Sequence, residues 1–218
     1  MKRAASTTPP NILAFVLGVA LLTLVLGAVL FRLAPPSLPF TVGDALFWLA
    51  LVAWTTRIGI ALPFSASMSH LFVVVLAAIA LFPPWLVMGL VMVGYFSPRL
   101  GKKGYPWYKD LFNRTQASLA AGAAGLCWYF LTTDLPIRAG PWDISTVVAL
   151  ISASLVIFLV NMSLTTWAIH LSTGASSRKV WIDNFRWLSP SYFVLAPVGL
   201  FMARAYQTPL VGGWGGFS

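Results

Sequence analysis

Polar side chains that could bind a ligand interrupt a long apolar run in the last third of the chain. The run Ile144–Leu171 contains no acidic residue, lysine or arginine, yet its second half carries a polar group: Asn161, Ser163, Thr165, Thr166 and His170. Asn161 and Thr165 are one helical turn apart, and Ser163, Thr166 and His170 share a helical face. In an apolar environment such groups need partners, so the pattern predicts either hydrogen bonds between helices or the lining of a ligand pocket.

Two histidines are the only candidate ligands for a metal or a porphyrin-type cofactor. His70 and His170 have no carboxylate cluster nearby, and catalytic zinc usually needs three protein ligands. One histidine is enough for axial ligation of a haem or chlorin, so this alternative stays open. Local hydrogen bonding at a helix end is the interpretation we favour. We therefore expect no metal and no cofactor.

Asn113 and Gln116 lie at the start of another apolar run. We expect them to make polar contacts at a helix end, either positioning a loop or capping a neighbouring helix. The chain has no phosphate-binding glycine loop and no nucleophile elbow. We therefore predict that it is not an enzyme and has no catalytic residue. Any catalytic domain would lie beyond residue 218.

The composition predicts an integral membrane protein. The chain has 218 residues, of which 59% are hydrophobic and 9% charged. A soluble domain has about 25% charged residues, so this chain cannot form an ordinary polar surface. The net charge of +9 does not indicate nucleic-acid binding, because the basic residues lie between apolar runs. The single cysteine, Cys127, excludes a disulfide framework within the chain.

Apolar runs predict an all-α, polytopic membrane helix bundle with about six to seven membrane segments. We expect a disordered cytoplasmic tail at 1–10, a membrane helical domain at 11–207 and a glycine-rich end at 208–218. The first run is too long for the apolar region of a signal peptide. The predicted segments are Ile12–Phe31, Gly43–Leu62, Met68–Phe82, Trp85–Phe96, Leu111–Leu131, Ile144–Leu171 and Leu188–Ala205.

Two consecutive prolines, Pro83 and Pro84, decide the predicted orientation. They allow either one long helix or a hairpin of two short helices, because proline breaks the helical hydrogen-bond ladder. Short cytoplasmic loops are enriched in Lys and Arg, and the hairpin places eleven of the fourteen cations on the side of the N-terminus. We therefore predict the hairpin, a cytoplasmic N-terminus and location in the bacterial inner membrane. The three cations on the opposite side are Arg32, Arg138 and Arg204.

Small residues predict close helix packing in the segment Leu111–Leu131. Ala117, Ala121 and Gly125 recur at four-residue steps, which lets a second helix approach closely. Tryptophans near the predicted segment ends are typical of the aromatic belts at membrane interfaces. They are Trp85, Trp107, Trp142, Trp181, Trp187 and Trp214.

Several motifs together resemble the N-terminal membrane region of bacterial HD-GYP-type signalling proteins. They are the Leu-Phe-Asn-x-x-Gln opening at 111–116, the break after the run that precedes it, and Asn-Phe-Arg-Trp-Leu at 184–188. The resemblance implies a sensory or anchoring module whose output lies in a protein partner or a fused cytoplasmic domain. Because the predicted orientation puts Ser218 outside, a fused domain would need one further span.

Two other functions remain open from the sequence. A weaker resemblance to the substrate-binding subunits of energy-coupling-factor transporters implies binding of a vitamin-like molecule, with the polar group at 161–170 as its pocket. The tryptophan content and the two histidines allow an accessory subunit of a pigment–protein complex. All three functions have the lipid bilayer as a partner and none involves nucleic acid.

Overall fold

The structure is a computed structural model that describes residues 10–33, 40–61, 67–69, 71–97, 105–133, 138–139, 142–184 and 189–207. Within them the chain forms eight helices and two short antiparallel ribbons. Residues 1–9 of the predicted tail at 1–10 and the end at 208–218 lie outside the described residues, whereas Pro10 is the first residue of a helix. The elements are α1 Pro10–Leu33, α2 Val42–Arg57, β1 Gly59–Ala61, β2 Ser67–Ser69, α3 Leu71–Leu81, α4 Pro84–Gly94, α5 Trp107–Thr133, β3 Arg138–Ala139, β4 Trp142–Asp143, α6 Ile144–Thr173, α7 Ser177–Asn184 and α8 Ser189–Gln207.

The two prolines separate α3 from α4, as the sequence predicts. Pro83 is the N-cap residue of α4 and Pro84 is its first residue, where the missing proline N–H costs no helical hydrogen bond. The N–H of Phe82 still donates to Ala78 O at 2.8 Å, so the α3 ladder continues to the residue before the prolines. The N–H of Leu86 donates to Pro83 O at 3.0 Å. The break in the helix is therefore confined to Phe82 and Pro83.

Contacts at the far ends of α3 and α4 show that the chain reverses direction at this break. The ring of Phe72, at the start of α3, lies 4.3 Å from the ring of Tyr192, at the start of α8. The N–H of Phe96, just after α4, donates to Thr56 Oγ1 at the end of α2. At the break itself, the ring of Phe82 lies 6.2 Å from that of Phe40, which precedes α2.

Seven helices run in alternating directions between two ends of the bundle. The basal end contains the starts of α1, α3, α5 and α8 and the ends of α2, α4 and α6. There the ring of Phe15 in α1 lies 5.9 Å from that of Phe112 in α5. The distal end contains the opposite termini, and there the ring of Phe31 in α1 lies 5.2 Å from that of Trp85 in α4.

Helix α5 is the centre of the bundle. It packs most extensively against α6, then against α4 and α1. Small side chains make this possible: Ala120, Ala121 and Ala124 are fully buried, and a Cβ added to Gly125 would lie 3.0 Å from Pro84 Cβ. A Cβ on Gly122 would overlap the Met88 side chain. The predicted small-residue packing is thus present, with glycines at 122 and 125 facing α4.

The predicted segment Gly43–Leu62 is wrong at its C-terminal end. Helix α2 stops at Arg57, and β1 pairs with β2 in the register Gly59↔Ser69. The ribbon gives the backbone of these residues hydrogen-bond partners without a helix, so Met68 belongs to a strand and α3 begins only at Leu71.

One helix was not predicted, because the apolar runs indicated no segment between Leu171 and Leu188. Gly174 has a φ of 72° and its N–H donates to His170 O at 2.8 Å, which ends α6 with a left-handed glycine. Helix α7 follows at Ser177–Asn184. The ring of Trp181 lies 5.8 Å from that of Phe158, so α7 is held against α6.

Among the described residues, two helices are long and apolar enough to cross a membrane, α1 and α6. In their most apolar stretches only 22% and 39% of the residues are buried within the protein, whereas a core helix of a soluble protein is mostly buried. The other helices do not meet these limits of length and composition. Six to seven membrane segments therefore remain a prediction.

Candidate functional site

A hydrogen-bonded cluster of polar side chains joins α5 to α6 inside the bundle. Gln116 is 6% exposed, and its Nε2 donates to Thr165 Oγ1 at 2.9 Å and to Asn161 O at 3.1 Å. It also contacts Asn161 Oδ1. Because Asn161 and Thr165 are one turn apart on α6, a single amide on α5 reaches both. We call Gln116, Asn161, Thr165 and Tyr192 the polar cluster.

Tyr192 extends the polar cluster to α8. Asn161 Nδ2 donates to the Tyr192 hydroxyl at 3.4 Å. The Tyr192 ring packs against Phe158, at 5.2 Å, as well as against Phe72. The hydroxyl is therefore fixed by rings from α3 and α6. Helices α5, α6 and α8 meet at one group of buried and half-buried amide and hydroxyl side chains.

Two buried oxygen atoms near this region have no hydrogen-bond partner in the part of the chain that the structure describes. They are Gln116 Oε1 and Thr166 Oγ1, and Thr166 is 5% exposed. A buried acceptor without a partner costs about 1–3 kcal/mol. The polar cluster therefore keeps unused hydrogen-bonding capacity at Gln116 Oε1.

The structure separates the residues that the sequence grouped together. Asn161 and Thr165 face α5, whereas Ser163 is exposed on the outside of α6. His170 lies at the end of α6, where its Nδ1 is 2.7 Å from Ala175 O and its ring is 5.7 Å from that of Trp167.

The remaining candidates divide between α5 and the region outside the described residues. Asn113 is half-buried on α5, and Gln116, predicted as a contact at a helix end, instead reaches across to α6. His70 lies outside the described residues. Within the described ranges, no group of three His, Cys, Asp or Glu side chains is placed to hold a metal ion.

The sequence analysis did not include Tyr192 in this group. Tyrosine carries an apolar ring, so it does not stand out from an apolar run as an amide does. Gln116 could have been paired with Asn161, because each is the strongly polar residue within the apolar part of its helix.

Hydrogen bonds also fasten α5 to α1 and α4 next to the polar cluster. Thr23 Oγ1 donates to Thr115 O at 3.0 Å, and Ser118 Oγ donates to Met88 O at 2.8 Å. Residues 115, 116 and 118 therefore connect α5 to three different helices within one turn. A displacement of α5 would disturb all three connections.

Comparison with known proteins decides the family. The MASE9 family model matches residues 8–212, nearly the whole chain. The chain belongs to the MASE9 family. This is a membrane-associated sensor-type domain. No curated protein and no solved structure matches the chain.

The MASE9 match supports part of the sequence interpretation. A membrane sensor region and a membrane location agree with it and with the two long apolar helices. The comparisons do not show the resemblance to HD-GYP-type proteins or to energy-coupling-factor subunits, and they support neither the transporter nor the pigment-complex function.

The polar cluster of this MASE9 domain contains amide and hydroxyl groups rather than carboxylates, imidazoles or amines. Such groups donate and accept hydrogen bonds but do not ionise near neutral pH. The arrangement is suited to holding helices in one position, or to exchanging one set of hydrogen bonds for another.

Proposed function

We propose that this MASE9 domain is the membrane-embedded sensory module of a bacterial signalling protein, with α1–α6 and α8 as its seven membrane segments. The observation that carries the proposal is the apolar outer surface of the bundle. Leu21 in α1 is 64% exposed and Phe201 in α8 is 74% exposed. In water such a surface would drive association, whereas in lipid it is the favoured exterior. Further exposed apolar residues on α1, α6 and α8 are Leu17, Leu22, Leu24, Val25, Val29, Val147, Val148, Ile151, Leu155, Leu159, Val194 and Val198.

The short helices α3 and α4 fit this proposal because other helices surround them. Eleven residues span only about 16 Å, roughly half of a hydrocarbon core of about 30 Å. Phe82 and Pro83, at the break, are buried. Interrupted backbone at membrane depth is tolerated where protein covers it, and α2, α5 and α8 cover this pair.

The charges of the described residues support an orientation with the basal end in the cytoplasm. The basal end carries Arg57, Lys109, Arg114, Arg178 and Lys179. Arg32 and Arg204 lie at the distal end, at the last turns of α1 and α8. Cations are enriched on the cytoplasmic side of membrane proteins, which favours a cytoplasmic start of α1.

The polar cluster supplies a means of passing a signal between helices. A stimulus that moves α5 against α6 exchanges the Gln116 hydrogen bonds, and Tyr192 carries the change to α8. In this proposal the domain itself performs no catalysis. Its output is a protein partner or an attached cytoplasmic domain.

Cysteine labelling in intact cells tests the embedding and the orientation. In a Cys127→Ser background, Thr133→Cys at the end of α5 and Ser176→Cys between α6 and α7 each add one exposed thiol at an opposite end. A membrane-impermeant maleimide should label the first in intact cells and the second only after permeabilisation. The reverse pattern overturns the orientation, and the same result at both positions in intact cells, label at both or at neither, overturns the embedding.

Signalling is tested by second-messenger measurement in cells. The HD-GYP-type proteins that the sequence resembles end in a domain that hydrolyses cyclic di-guanylate. We therefore expect Gln116→Ala to change the cellular level of cyclic di-guanylate relative to wild type at equal membrane abundance, with Ser163→Ala as the matched control on the exposed face of α6. If deletion of the protein leaves that level unchanged under every growth condition tested, the proposed signalling output is wrong.

A further inference from the structure

Two arginines from different helices converge on one aromatic ring at the basal end. Arg114 Cζ, on α5, lies 5.1 Å from the centroid of Phe96, and Arg57 Cζ, the last residue of α2, lies 5.9 Å from it. The backbone N–H of Phe96 donates to Thr56 Oγ1 at 3.3 Å, which ties the ring to the end of α2. Cation–π attraction offsets part of the repulsion between the guanidinium groups.

One carboxylate balances this pair incompletely. Arg114 Nε lies 2.6 Å from Asp110 Oδ2, and Arg114 Nη1 donates to Met92 O at 3.5 Å. Arg57 is exposed and makes no ion pair with a carboxylate of the described residues. The site therefore keeps one positive charge in excess, on the exposed Arg57.

We propose that Arg57 and Arg114 bind a phosphate group beside Phe96, either in an anionic lipid headgroup or in a small soluble phosphate. Guanidinium groups match the geometry of phosphate oxygens and bind them with two parallel hydrogen bonds. The site lies where α2 and α4 end, and basic sites between membrane helices are suited to anionic headgroups. The proposal rests on the proposed membrane embedding, and it does not depend on which side faces the cytoplasm.

Lys109, one residue before Asp110, is exposed and adds a further positive charge in the first turn of α5. An anion held at the site would bridge the end of α2 and the first turns of α5. Binding would therefore hold the end of α2 to the start of α5.

The full-length protein reconstituted in lipid nanodiscs tests the proposal through its thermal unfolding midpoint. Three conditions are compared: phosphatidylcholine alone, phosphatidylcholine with phosphatidylglycerol, and phosphatidylcholine with inorganic phosphate in the buffer. A ligand that binds only the folded state raises the midpoint. We expect a rise in at least one phosphate-containing condition, which Arg57→Gln removes and Arg178→Gln, at the same end on α7, retains.

The pattern of midpoints separates the outcomes. A rise only with phosphatidylglycerol assigns the site to a lipid headgroup, and a rise with inorganic phosphate assigns it to a soluble anion. No rise in wild type under either condition overturns the site, as does an equal loss in both variants, since that would reflect surface charge alone. If Arg57→Gln does not fold, Phe96→Leu, which removes the shared ring, replaces it and is expected to reduce the rise.

Failure of the embedding is detected separately. A protein that does not float with lipid vesicles in a density gradient contradicts the proposed function before any midpoint is measured. The phosphate site is then tested on the same protein in solution with inorganic phosphate, and absence of a midpoint shift there overturns it.

Discussion

Gln116 shows how one polar residue can specify the position of a helix in an apolar bundle. Apolar side chains pack in several registers, because dispersion contacts are nearly interchangeable. An amide that donates to Thr165 Oγ1 and Asn161 O has one register in which both bonds form. The polar cluster therefore contributes specificity to the α5–α6 contact in addition to its modest stability.

A double-mutant cycle on this pair measures that contribution. We expect Gln116→Ala and Asn161→Ala each to destabilise the protein in bilayers, and their coupling free energy to be about 0.6–1.7 kcal/mol, as for hydrogen bonds between membrane helices. The measurement is reversible unfolding of the reconstituted protein. Ser163→Ala, on the exposed face of α6, is the control and should change the free energy of unfolding by less than about 0.5 kcal/mol. A coupling of zero would mean that the two amides act independently.

Close helix contacts in the bundle depend on glycines at particular positions. At Gly199 in α8, an added Cβ would lie 2.9 Å from Val73 O and 3.0 Å from Leu76 Cβ, both on α3. Neither atom is at the end of a flexible side chain, so the contact cannot relax without moving a helix. Pro197 lies two residues earlier, within α8, and removes one hydrogen bond from its ladder.

Replacement of Gly199 by alanine should separate α8 from α3. We expect Gly199→Ala to lower the free energy of unfolding by about 1–3 kcal/mol, the usual cost of overpacking. Gly89→Ala, on α4, is the matched control, because nothing lies within 4 Å of its added Cβ. It should be neutral or stabilising, since alanine favours helix over glycine by about 1 kcal/mol. Equal effects of the two substitutions would contradict the close α3–α8 contact.

Elements with strong local signals could be predicted from the sequence. The apolar runs gave α1 and α6 to within a few residues, and Pro83–Pro84 gave the break between α3 and α4. Helix α7 could not be predicted in this way, because its eight residues include Arg178, Lys179 and Asp183 and its stability depends on Trp181 packing against Phe158.

The candidate site was predictable only in part, for a related reason. Composition identifies Asn161, Thr165 and Gln116 as polar residues in apolar helices, but not which of them face each other. The exposed position of Ser163 and the hydrogen bond from Asn161 to Tyr192 depend on the rotation of α6 and the position of α8. This rotation and this position are set by packing between segments that are distant in sequence, so local periodicity does not predict them.

At the scale of the whole molecule, the distal end is closed by a contact between α2 and α8. Thr41 and Asp44 form a capping box at the start of α2, with Thr41 N donating to Asp44 Oδ2 at 2.7 Å. The other carboxylate oxygen, Asp44 Oδ1, accepts from the Tyr206 hydroxyl near the end of α8. The chain reversal at Pro83–Pro84 thus lies at the end of the bundle where α2 and α8 are joined.

Disulfide cross-linking tests this arrangement, because each arm of the hairpin has a different neighbour. A Cβ on Gly94, at the end of α4, would lie 3.1 Å from Val52 Cβ on α2, and one on Gly199 would lie 3.0 Å from Leu76 Cβ on α3. Disulfides join Cβ atoms about 3.5–4.5 Å apart, and each pair enters this range when its helices separate slightly to admit the new Cβ. In a Cys127→Ser background, we therefore expect the pairs Gly94→Cys with Val52→Cys and Gly199→Cys with Leu76→Cys to oxidise readily in membranes.

The readout is protection from a polyethylene glycol maleimide after denaturation, since a cross-linked pair takes no label and a free pair takes two. Gly18→Cys with Val52→Cys is the control and should stay reduced, because nothing lies within 4 Å of a Cβ added to Gly18. If residues 71–94 formed one straight helix, α4 would extend beyond the end of α3. Gly94 would then lie far from Val52, because the end of α2 is beside the start of α3. Oxidation of the Leu76 pair without the Gly94 pair would therefore show that the chain does not reverse at the prolines. The conclusion that the basal cations all lie at one end of the bundle would then also be wrong.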